Sequence, residues 1–172
     1  MSSLLSKWIG AQPGKQPKLR CSSEVWHKGV AELRARTRSG TRESGAFLLG
    51  VDEGLAKRIL DFVFYDDIDP HALDSGIVHF DGTKFPKLWA HCRERGYGVV
   101  ADVHVHPGGY GQSASDMANP VMPRAGHFAM IIPDFAARQI LPGGIGMYEY
   151  CGNGRWATHT KQGVDFFELD KP

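Results

Sequence analysis

The chain has few cysteines and no long apolar run. Cys21, Cys92 and Cys151 are odd in number and widely spaced, and no Cys-x-x-Cys pair is present. This usage excludes a disulfide framework and a zinc site built from thiolates. No stretch approaches the roughly eighteen apolar residues of a membrane-spanning helix, and residues 1–9 are too interrupted for the apolar region of a signal peptide. Reduced thiols without a targeting segment predict a cytoplasmic protein.

An excess of charge of either sign is also missing. The 20 basic and 19 acidic residues give a formal net charge of +1. Such a balance produces no long-range field that would attract a polyanion or an anionic lipid surface. The sequence therefore predicts neither nucleic acid nor a membrane as a partner.

Length and the order of predicted elements indicate one α/β domain. A chain of 172 residues is large enough for a single core. Gly, Pro, Lys and Gln dominate residues 10–20, so we predict a flexible N-terminal arm over 1–21 and a compact domain over 22–172. Helix and strand patterns follow the order α-β-β-α-β-α-β-β-β, which favours a mixed central sheet flanked by helices, an α+β or three-layer arrangement.

Apolar periodicity and turn residues mark the individual elements. We predict helices over 23–38, 85–95 and 113–118, and strands over 46–49, 59–65, 97–106, 127–132, 146–151 and 156–159. The first two strands are predicted to form a hairpin. The segment 66–82, rich in Asp, Pro, Gly and His, is predicted to be a long surface loop.

A reaction centre is indicated where the strand over 97–106 ends. His104 and His106 are separated by one residue, so on an extended segment both imidazoles point to the same side and can bind one ion. Asp116 follows a glycine-rich turn and can return as a third ligand, which leaves a tetrahedral position for water. Each part also has a structural interpretation: two histidines on a strand are often merely hydrogen-bonded, and Ser113 with Asp116 is a common helix N-terminus.

Other metal sites that begin with two such histidines do not fit the residues that follow. A cupin needs a Glu where Tyr110 and Gly111 lie, and a metallo-β-lactamase needs Asp and His where Gly108 and Gly109 lie. A zinc nucleoside deaminase needs Pro-Cys-x-x-Cys, which the chain lacks. Asp102 shares the histidine face, but alternate residues of one strand splay too far apart to meet one ion, so Asp102 is predicted to support the ligands by hydrogen bonding.

The remaining pattern resembles the JAMM or MPN+ (JAB-type) zinc metallopeptidase family, in particular its small stand-alone bacterial members associated with ubiquitin-like systems. His104-Val105-His106-Pro107 and Ser113-Ala114-Ser115-Asp116 match the family's His-x-His-Pro and Ser-x-x-Asp motifs. Six residues separate the second His from Ser113, against seven in the family, which makes Ser115 the reserve for that serine. Glu43-Ser44-Gly45 before an apolar run is close to the family's Glu-x-x-Gly, with the Gly one position early.

The resemblance implies a fold, a cofactor and a role for each of these residues. The family fold is the MPN or JAB architecture, a three-layer arrangement like that of cytidine deaminase. One Zn²⁺ per chain would be bound by His104, His106 and Asp116, with water as the fourth ligand. Glu43 would take a proton from that water and pass it to the leaving amine, and Ser113 would donate a hydrogen bond to the developing oxyanion.

The resemblance also implies a substrate. Active family members cut peptide or isopeptide bonds after the C-terminal glycines of ubiquitin-like proteins, so we expect deconjugation or precursor processing, with E1-like or E2-like proteins as further partners. The segment 66–82 is the predicted grip for the extended tail of the modifier. Two alternatives stay open: a peptidase that releases a Gly-Gly-tailed sulfur-carrier protein, and a catalytically silent MPN scaffold.

Overall fold

The computed structural model describes residues 16–170 of the protein. Its strands are β1 (Leu19–Ser22), β2 (Gly45–Asp52), β3 (Lys57–Phe64), β4 (Gly98–Val105), β5 (His127–Ile132), β6 (Gly146–Gly152), β7 (Arg155–Thr158) and β8 (Phe167–Asp170). Its α-helices are α1 (Ser23–Arg36), α2 (Tyr65–Ile68), α3 (Phe85–Arg95) and α4 (Ala114–Ala118). Short 3₁₀ turns occur in the connections between several of these elements.

The strands belong to one mixed sheet, in the order β7-β6-β5-β4-β2-β3-β1-β8. β2 pairs antiparallel with both β3 and β4, so the predicted hairpin of β2 and β3 is present. β4 and β5 run parallel, as do β1 with β3 and β1 with β8, whereas β6 and β7 return antiparallel. The predicted mixed α/β class is confirmed, with the sheet as the dominant part of the structure.

The sheet separates two apolar cores, one on each of its faces. α1 covers one face, and its Trp26 and Leu33 are fully buried against strand residues such as Leu48. α2 and α3 cover the other face, where Phe47 of β2 and Leu88 of α3 are buried. Successive strand residues point to opposite faces, so β2 carries apolar side chains on both sides. This double burial makes β2 and its neighbour β4 the rigid centre from which the site is built.

The local sequence explains where the two long helices begin and end. The Ser22 side chain caps α1 by accepting a hydrogen bond from the N–H of Val25, and the helix stops two residues before the end predicted for it. Pro86 lies in the first turn of α3, and Gly96 follows the helix with a φ of 69°, a left-handed conformation that favours glycine. α1 has 14 residues. Between residues 16 and 170, no helix is long and apolar enough to cross a membrane.

The sheet begins earlier than the predicted domain boundary. The sequence predicts an arm up to residue 21, but β1 lies between β3 and β8, and its Leu19 and Cys21 are fully buried. Four residues are too few to show a strand period, and parallel pairing with distant strands has no local signal. β8 escapes sequence analysis for the same reason. The prediction for residues 1–15 lies outside the described residues.

The segment 66–82 is not a surface loop along its whole length. α2 begins at Tyr65 and ends at Ile68, and Ile68, Ala72 and Leu73 are buried in the core beneath α3. Asp69 is buried as well, and it accepts hydrogen bonds from the backbone N–H groups of His71 and Asp81. These contacts fix a segment whose polar composition predicts exposure, and they hold the wall of the cleft described below.

Candidate metal centre

Two histidine side chains meet at the C-terminal end of β4. His104 lies on β4 and His106 directly follows it, and both side chains are buried. Their Nε2 atoms are 2.9 Å apart. Two imidazole nitrogens at this distance need a proton or another cation between them, because two facing lone pairs repel. The end of the strand therefore brings together the pair that the sequence singles out.

Asp116 completes the group from the first turn of α4. Its Oδ1 lies 3.4 Å from Nε2 of His104, and its Oδ2 lies 3.3 Å from Nε2 of His106. The Ser113 backbone N–H donates to the Asp116 carboxylate, and the Ser113 Oγ accepts from the Asp116 N–H, a reciprocal cap of α4. The Ser-x-x-Asp spacing thus starts the helix and aims the carboxylate at the histidines at the same time.

The three side chains can hold one metal ion. One ligand atom from each of His104, His106 and Asp116 lies within 4.8 Å of the others. Ligands about 2.0–2.1 Å from a tetrahedral ion are about 3.3 Å apart. The separations from His104 to Oδ1 of Asp116, 3.4 Å, and from His106 to Oδ2, 3.3 Å, are close to this value, and the two Nε2 atoms, at 2.9 Å, lie nearer to each other. Two imidazoles and a carboxylate suit zinc and several other transition metals, so the group is a candidate metal site that does not by itself identify the metal.

Hydrogen bonding inside the group shifts the pKa values of its members. Burial would raise the pKa of Asp116, but hydrogen bonds with His104 and His106 outweigh burial and hold the pKa of this carboxyl well below its usual value. The hydrogen bond with Asp116 raises the pKa of His106 above its usual value, against the opposing effect of burial. The group therefore attracts positive charge, whether as a proton or as a metal ion.

These shifts predict that acid weakens metal binding sooner than at an ordinary histidine site. A metal ion needs a neutral imidazole, so the proton on His106 must leave before the ion binds. The pKa of His106 is raised above the usual value of about 6.5. As the pH is lowered, metal affinity should therefore start to decrease before a pH of about 6.5 is reached, by about tenfold per pH unit for each proton that the metal must displace. Chelator competition for zinc at pH 6, 7 and 8 measures this. Equal affinities at pH 6 and pH 8 would contradict the prediction.

Glu43 lies beside the metal group, immediately before β2. Its Oε1 is 3.9 Å from Nε2 of His106, and its Oε2 accepts a hydrogen bond of 3.0 Å from the backbone N–H of Val78. The Glu43 N–H in turn donates to the carbonyl of Gly76. One carboxylate oxygen is thus fixed while the other faces the histidines, an arrangement that suits a proton acceptor beside the ion.

Close packing under the site explains the glycine two residues after Glu43. Gly45 pairs with His104 across β2 and β4. A Cβ at this position would collide with the ring of Tyr65 and lie 2.9 Å from the carbonyl oxygen of Val103. The early glycine of the Glu-Ser-Gly segment therefore lets β2 pass directly beneath the metal group.

The structure places the two candidate serines differently. Ser113 is exposed and caps α4, and its Oγ accepts a hydrogen bond in the cap, so its hydroxyl proton is not used there. Ser115 is also exposed, and it lines a cleft of about 440 Å³ whose lining includes His104 and Asp116. Both hydroxyls have a proton to donate, and Ser115 is the one that lines the cleft.

A second polar cluster, which sequence analysis missed, forms part of the floor of the same cleft. The Tyr65 hydroxyl donates to Asp102 at 2.9 Å, and Nε2 of His127 lies 2.6 Å from the other Asp102 oxygen. All three side chains are buried. Burial and the charge of Asp102 raise the pKa of Tyr65 well above its usual value, so its hydroxyl stays a donor. Asp102 therefore binds Tyr65 and His127, where the sequence predicts a partner of the histidine ligands.

The local sequence holds one weak signal for this cluster. Asp102 precedes His104 by two residues, so the two side chains share a face of β4. Tyr65 and His127 come from other elements at no informative spacing, and nothing in a single sequence shows that the fold brings them to Asp102.

Replacing Asp102 by alanine should strongly destabilise the protein. The change leaves the Tyr65 hydroxyl and the His127 ring buried without their acceptor, a loss that costs about 3–5 kcal/mol when a buried charged partner is removed. Urea unfolding of both proteins measures the difference. Asp74→Ala is the matched control, because Asp74 pairs with the exposed His71 and its loss should hardly move the midpoint. Equal unfolding midpoints for the two variants would show that the hydrogen bonds of Asp102 with Tyr65 and His127 do not stabilise the protein.

Comparison with known proteins shows similarity of fold. No protein-family model matches this sequence. The chain is similar to a protein of Desulfitobacterium hafniense with a solution structure, with a TM-score of 0.63 and 15% identity over 90% of this chain and 94% of that chain. It is also similar to a Salinibacter ruber protein with a solution structure, with a TM-score of 0.55 and 16% identity over 89% of this chain and 91% of that chain. At sequence identities this low, the similarity concerns the fold alone.

Proposed function

We propose that this protein is a zinc-dependent isopeptidase or peptidase of the JAMM type, which cleaves the amide bond after the C-terminal glycine of a ubiquitin-like protein. One observation carries the proposal. His104, His106, Asp116 and Glu43 come from three separate segments, and their polar atoms converge within a few ångströms at the end of one strand. A structural role for each residue on its own does not account for this convergence.

The proposal also assigns the domain to the MPN or JAB architecture. Helices on both faces of a mixed sheet give three layers, as that architecture requires. The metal group lies at the end of the central strand β4, and the general base is supplied by the segment leading into the neighbouring strand β2. This placement puts the reacting groups on the most rigid part of the fold.

In the proposed mechanism, His104, His106 and Asp116 hold zinc, and Glu43 moves the protons. Zinc, when bound, lowers the pKa of a coordinated water toward about 7 and polarises the substrate carbonyl. Glu43 takes the proton that the attacking water loses, and the same carboxylic acid then gives it to the departing amine. The backbone N–H of Val78 holds one Glu43 oxygen throughout, which keeps the other in place for both transfers.

A serine hydroxyl would stabilise the charge that develops on the carbonyl oxygen. Ser113 is the first candidate, because its hydroxyl proton is free while its Oγ caps the helix that carries Asp116. Ser115 is the reserve candidate, and its position in the lining of the cleft supports it. A donor of this kind typically contributes about 10²–10³-fold to the rate.

The cleft beside the metal group supports an extended substrate. Residues Ile77, Val78 and Phe80 line one side of it, as expected if the segment 66–82 grips the tail of the modifier. A cleft that runs along strands favours a chain segment that lies extended, such as a Gly-Gly tail. E1-like or E2-like proteins of the same system would supply the conjugates on which the enzyme acts.

Two other functions are compared with the isopeptidase: one uses the same chemistry, and the other lacks it. A peptidase that releases a Gly-Gly-tailed sulfur-carrier protein would use identical residues, and only its substrate would differ. A silent MPN scaffold would lack a ligand or the general base. The convergence of His104, His106, Asp116 and Glu43 favours the enzyme over the scaffold.

Cleavage of a fusion protein tests the proposal. Several ubiquitin-like proteins that end in Gly-Gly are each joined through the last glycine to a fluorescent reporter, and the two products are separated by gel electrophoresis. We expect at least one fusion to be cut after the second glycine, cleavage to stop with a chelator, and added zinc to restore it. Cleavage that persists without metal would point to another nucleophile. His27→Ala, which alters an exposed histidine of α1 on the other face of the sheet, serves as the active control.

A further inference from the structure

The cleft beside the metal group continues along the sheet. Its floor consists of side chains on one face of β4 and β5, from His104 and Ile131 at the metal end, through Asp102 and Ala129, to His127. His127 precedes Ile131 by four residues, which corresponds to about 13 Å at about 3.3 Å per residue. The floor is therefore as long as about four residues of an extended peptide.

Apolar side chains line the walls of this cleft beside its partly polar floor. Val78 and Phe80 line one side, and Val121 and Met122 line the other. Ala129, a small residue, lies beside Asp102 on the neighbouring strand, two residues along β5 from His127, and leaves room above the sheet. A peptide in this position would place small or apolar side chains between the walls, which is the usual character of a binding cleft.

A second cavity, of about 400 Å³, opens where the first one ends. The two share Met122 and His127 as lining residues. The second cavity is also lined by Trp89 and Arg93 of α3 and by Arg124, which follows the 120–123 wall. We call this second cavity the basic pocket. Among the described residues that line it, none is acidic.

The two arginines of the basic pocket have no carboxylate partner between residues 16 and 170. Arg95, two residues from Arg93 on α3, is by contrast paired with Asp61. Arg124 also lines the next depression of the surface together with Lys57 and Asp52. Burial lowers the pKa of Lys57; the charge of Asp52 opposes this shift, the positive charge of Arg124 adds to it, and the charge of Glu149 opposes it. Arg93 and Arg124 therefore place two positive charges at the end of the cleft remote from the metal group.

We propose that the basic pocket is a specificity subsite for an acidic side chain of the substrate, about four residues from the bond that is cut. The identity of the substrate as a ubiquitin-like tail rests on the proposed function above. Arg93 and Arg124 supply the charge that attracts a carboxylate, and His127 closes the inner wall. Nε2 of His127 is engaged with Asp102, so Nδ1 is the ring nitrogen left to face a ligand.

The composition of the basic pocket agrees with a binding role. Trp89 is 38% exposed and stacks on Phe85, which also lines the first cavity. Exposed tryptophan, arginine and methionine together are typical of the residues that dominate binding energy at interfaces. Trp89 would lie against the bound acidic residue, so its fluorescence provides a direct signal for occupation of the pocket.

Two matched peptides test the proposal without requiring catalysis. Fluorescein-labelled Ala-Glu-Glu-Ala-Gly-Gly and Ala-Lys-Lys-Ala-Gly-Gly are titrated with the full chain, with zinc and with a chelator, and polarisation is recorded. We expect the acidic peptide to bind at least about tenfold more tightly, since two arginines each contribute a few-fold through exposed charge pairs. Arg93→Glu combined with Arg124→Glu should reverse the preference. Arg34→Glu, on α1 at the other face of the sheet, is the matched charge reversal and should keep the preference.

Each outcome decides for or against the subsite. Equal affinity of wild-type protein for the two peptides, no binding of either, or a preference that survives the double reversal would overturn it. Thermal unfolding of the double variant, whose substitutions are both exposed, shows that the fold is retained. If the protein prefers the acidic peptide but cuts no fusion, the result supports the subsite and contradicts the isopeptidase function. If fusions with acidic and with basic tails are cleaved at the same rate, the result supports the isopeptidase function and contradicts the subsite.

Discussion

His104→Ala and Asp116→Ala are each expected to leave the purified protein without bound zinc, whereas the wild-type protein should carry about one ion per chain. Each substitution removes one of the three potential ligands that converge at the end of β4. Removal of a residue that merely supports a ligand typically costs about 10–100-fold in affinity, and removal of the ligand itself should cost more. Elemental analysis after dialysis against metal-free buffer measures the loss.

Thermal unfolding gives a second measure of the same effect. A ligand that binds only the folded protein stabilises it by about 4 kcal/mol at 1,000 times its dissociation constant. Added zinc should therefore raise the melting temperature of the wild-type protein and leave that of both variants unchanged. His71→Ala and Asp74→Ala are matched controls, because His71 and Asp74 form an exposed pair of the same residue types. Metal retained by both ligand variants would remove His104 and Asp116 from the site.

The elements with a clear residue period could be predicted from the sequence. α1 and α3 show apolar residues at helical spacing. Ser22 marks the start of α1, and Gly96 marks the end of α3. β4 is a run of β-branched residues, and it occurs where the sequence predicts it. In each case the signal is local, because capping and periodicity depend on residues within one or two turns of each other.

The elements that depend on distant partners could not be predicted. β1 and β8 have four residues each, and they are strands because they pair with one another and with β3. The burial of Ala72 and Leu73 likewise depends on α3, which lies above a segment that reads as polar. Long-range pairing of this kind leaves no mark on a short stretch of sequence.

The candidate site divides in the same way. Motif spacing identifies His104, His106 and Asp116, because the two histidines lie at the end of one strand and Asp116 lies in the first turn of the next helix. The position of Glu43 depends on the register of β2 against β4, in which Gly45 lies opposite His104 and so carries Glu43 toward His106. The basic pocket depends on a helix, a strand and a loop at once, and no single segment contains its pattern.

Glu43→Gln is expected to lower the cleavage rate by about 10²–10⁴-fold while the metal content stays at the wild-type level, the usual contribution of a general acid–base group. Glutamine has nearly the same shape, and its amide oxygen can still accept the hydrogen bond from the Val78 N–H, so the local structure should be kept. An amide cannot take a proton at neutral pH. The loss should appear in kcat, with KM nearly unchanged, because Glu43 acts on the attacking water and the leaving amine in the proposed mechanism.

The metal content of the Glu43→Gln variant separates a catalytic role from a structural one. The nearest Glu43 oxygen is 3.9 Å from Nε2 of His106, and Glu43 lies outside the group of three potential ligands, so we expect the metal to stay bound without its carboxylate. Glu24→Gln changes an exposed acid in the first turn of α1 and is the matched control with full activity. If Glu43→Gln cut the fusion as fast as the wild-type protein, another group would have to move the proton. If the variant lost its metal, Glu43 would belong to the ligand set.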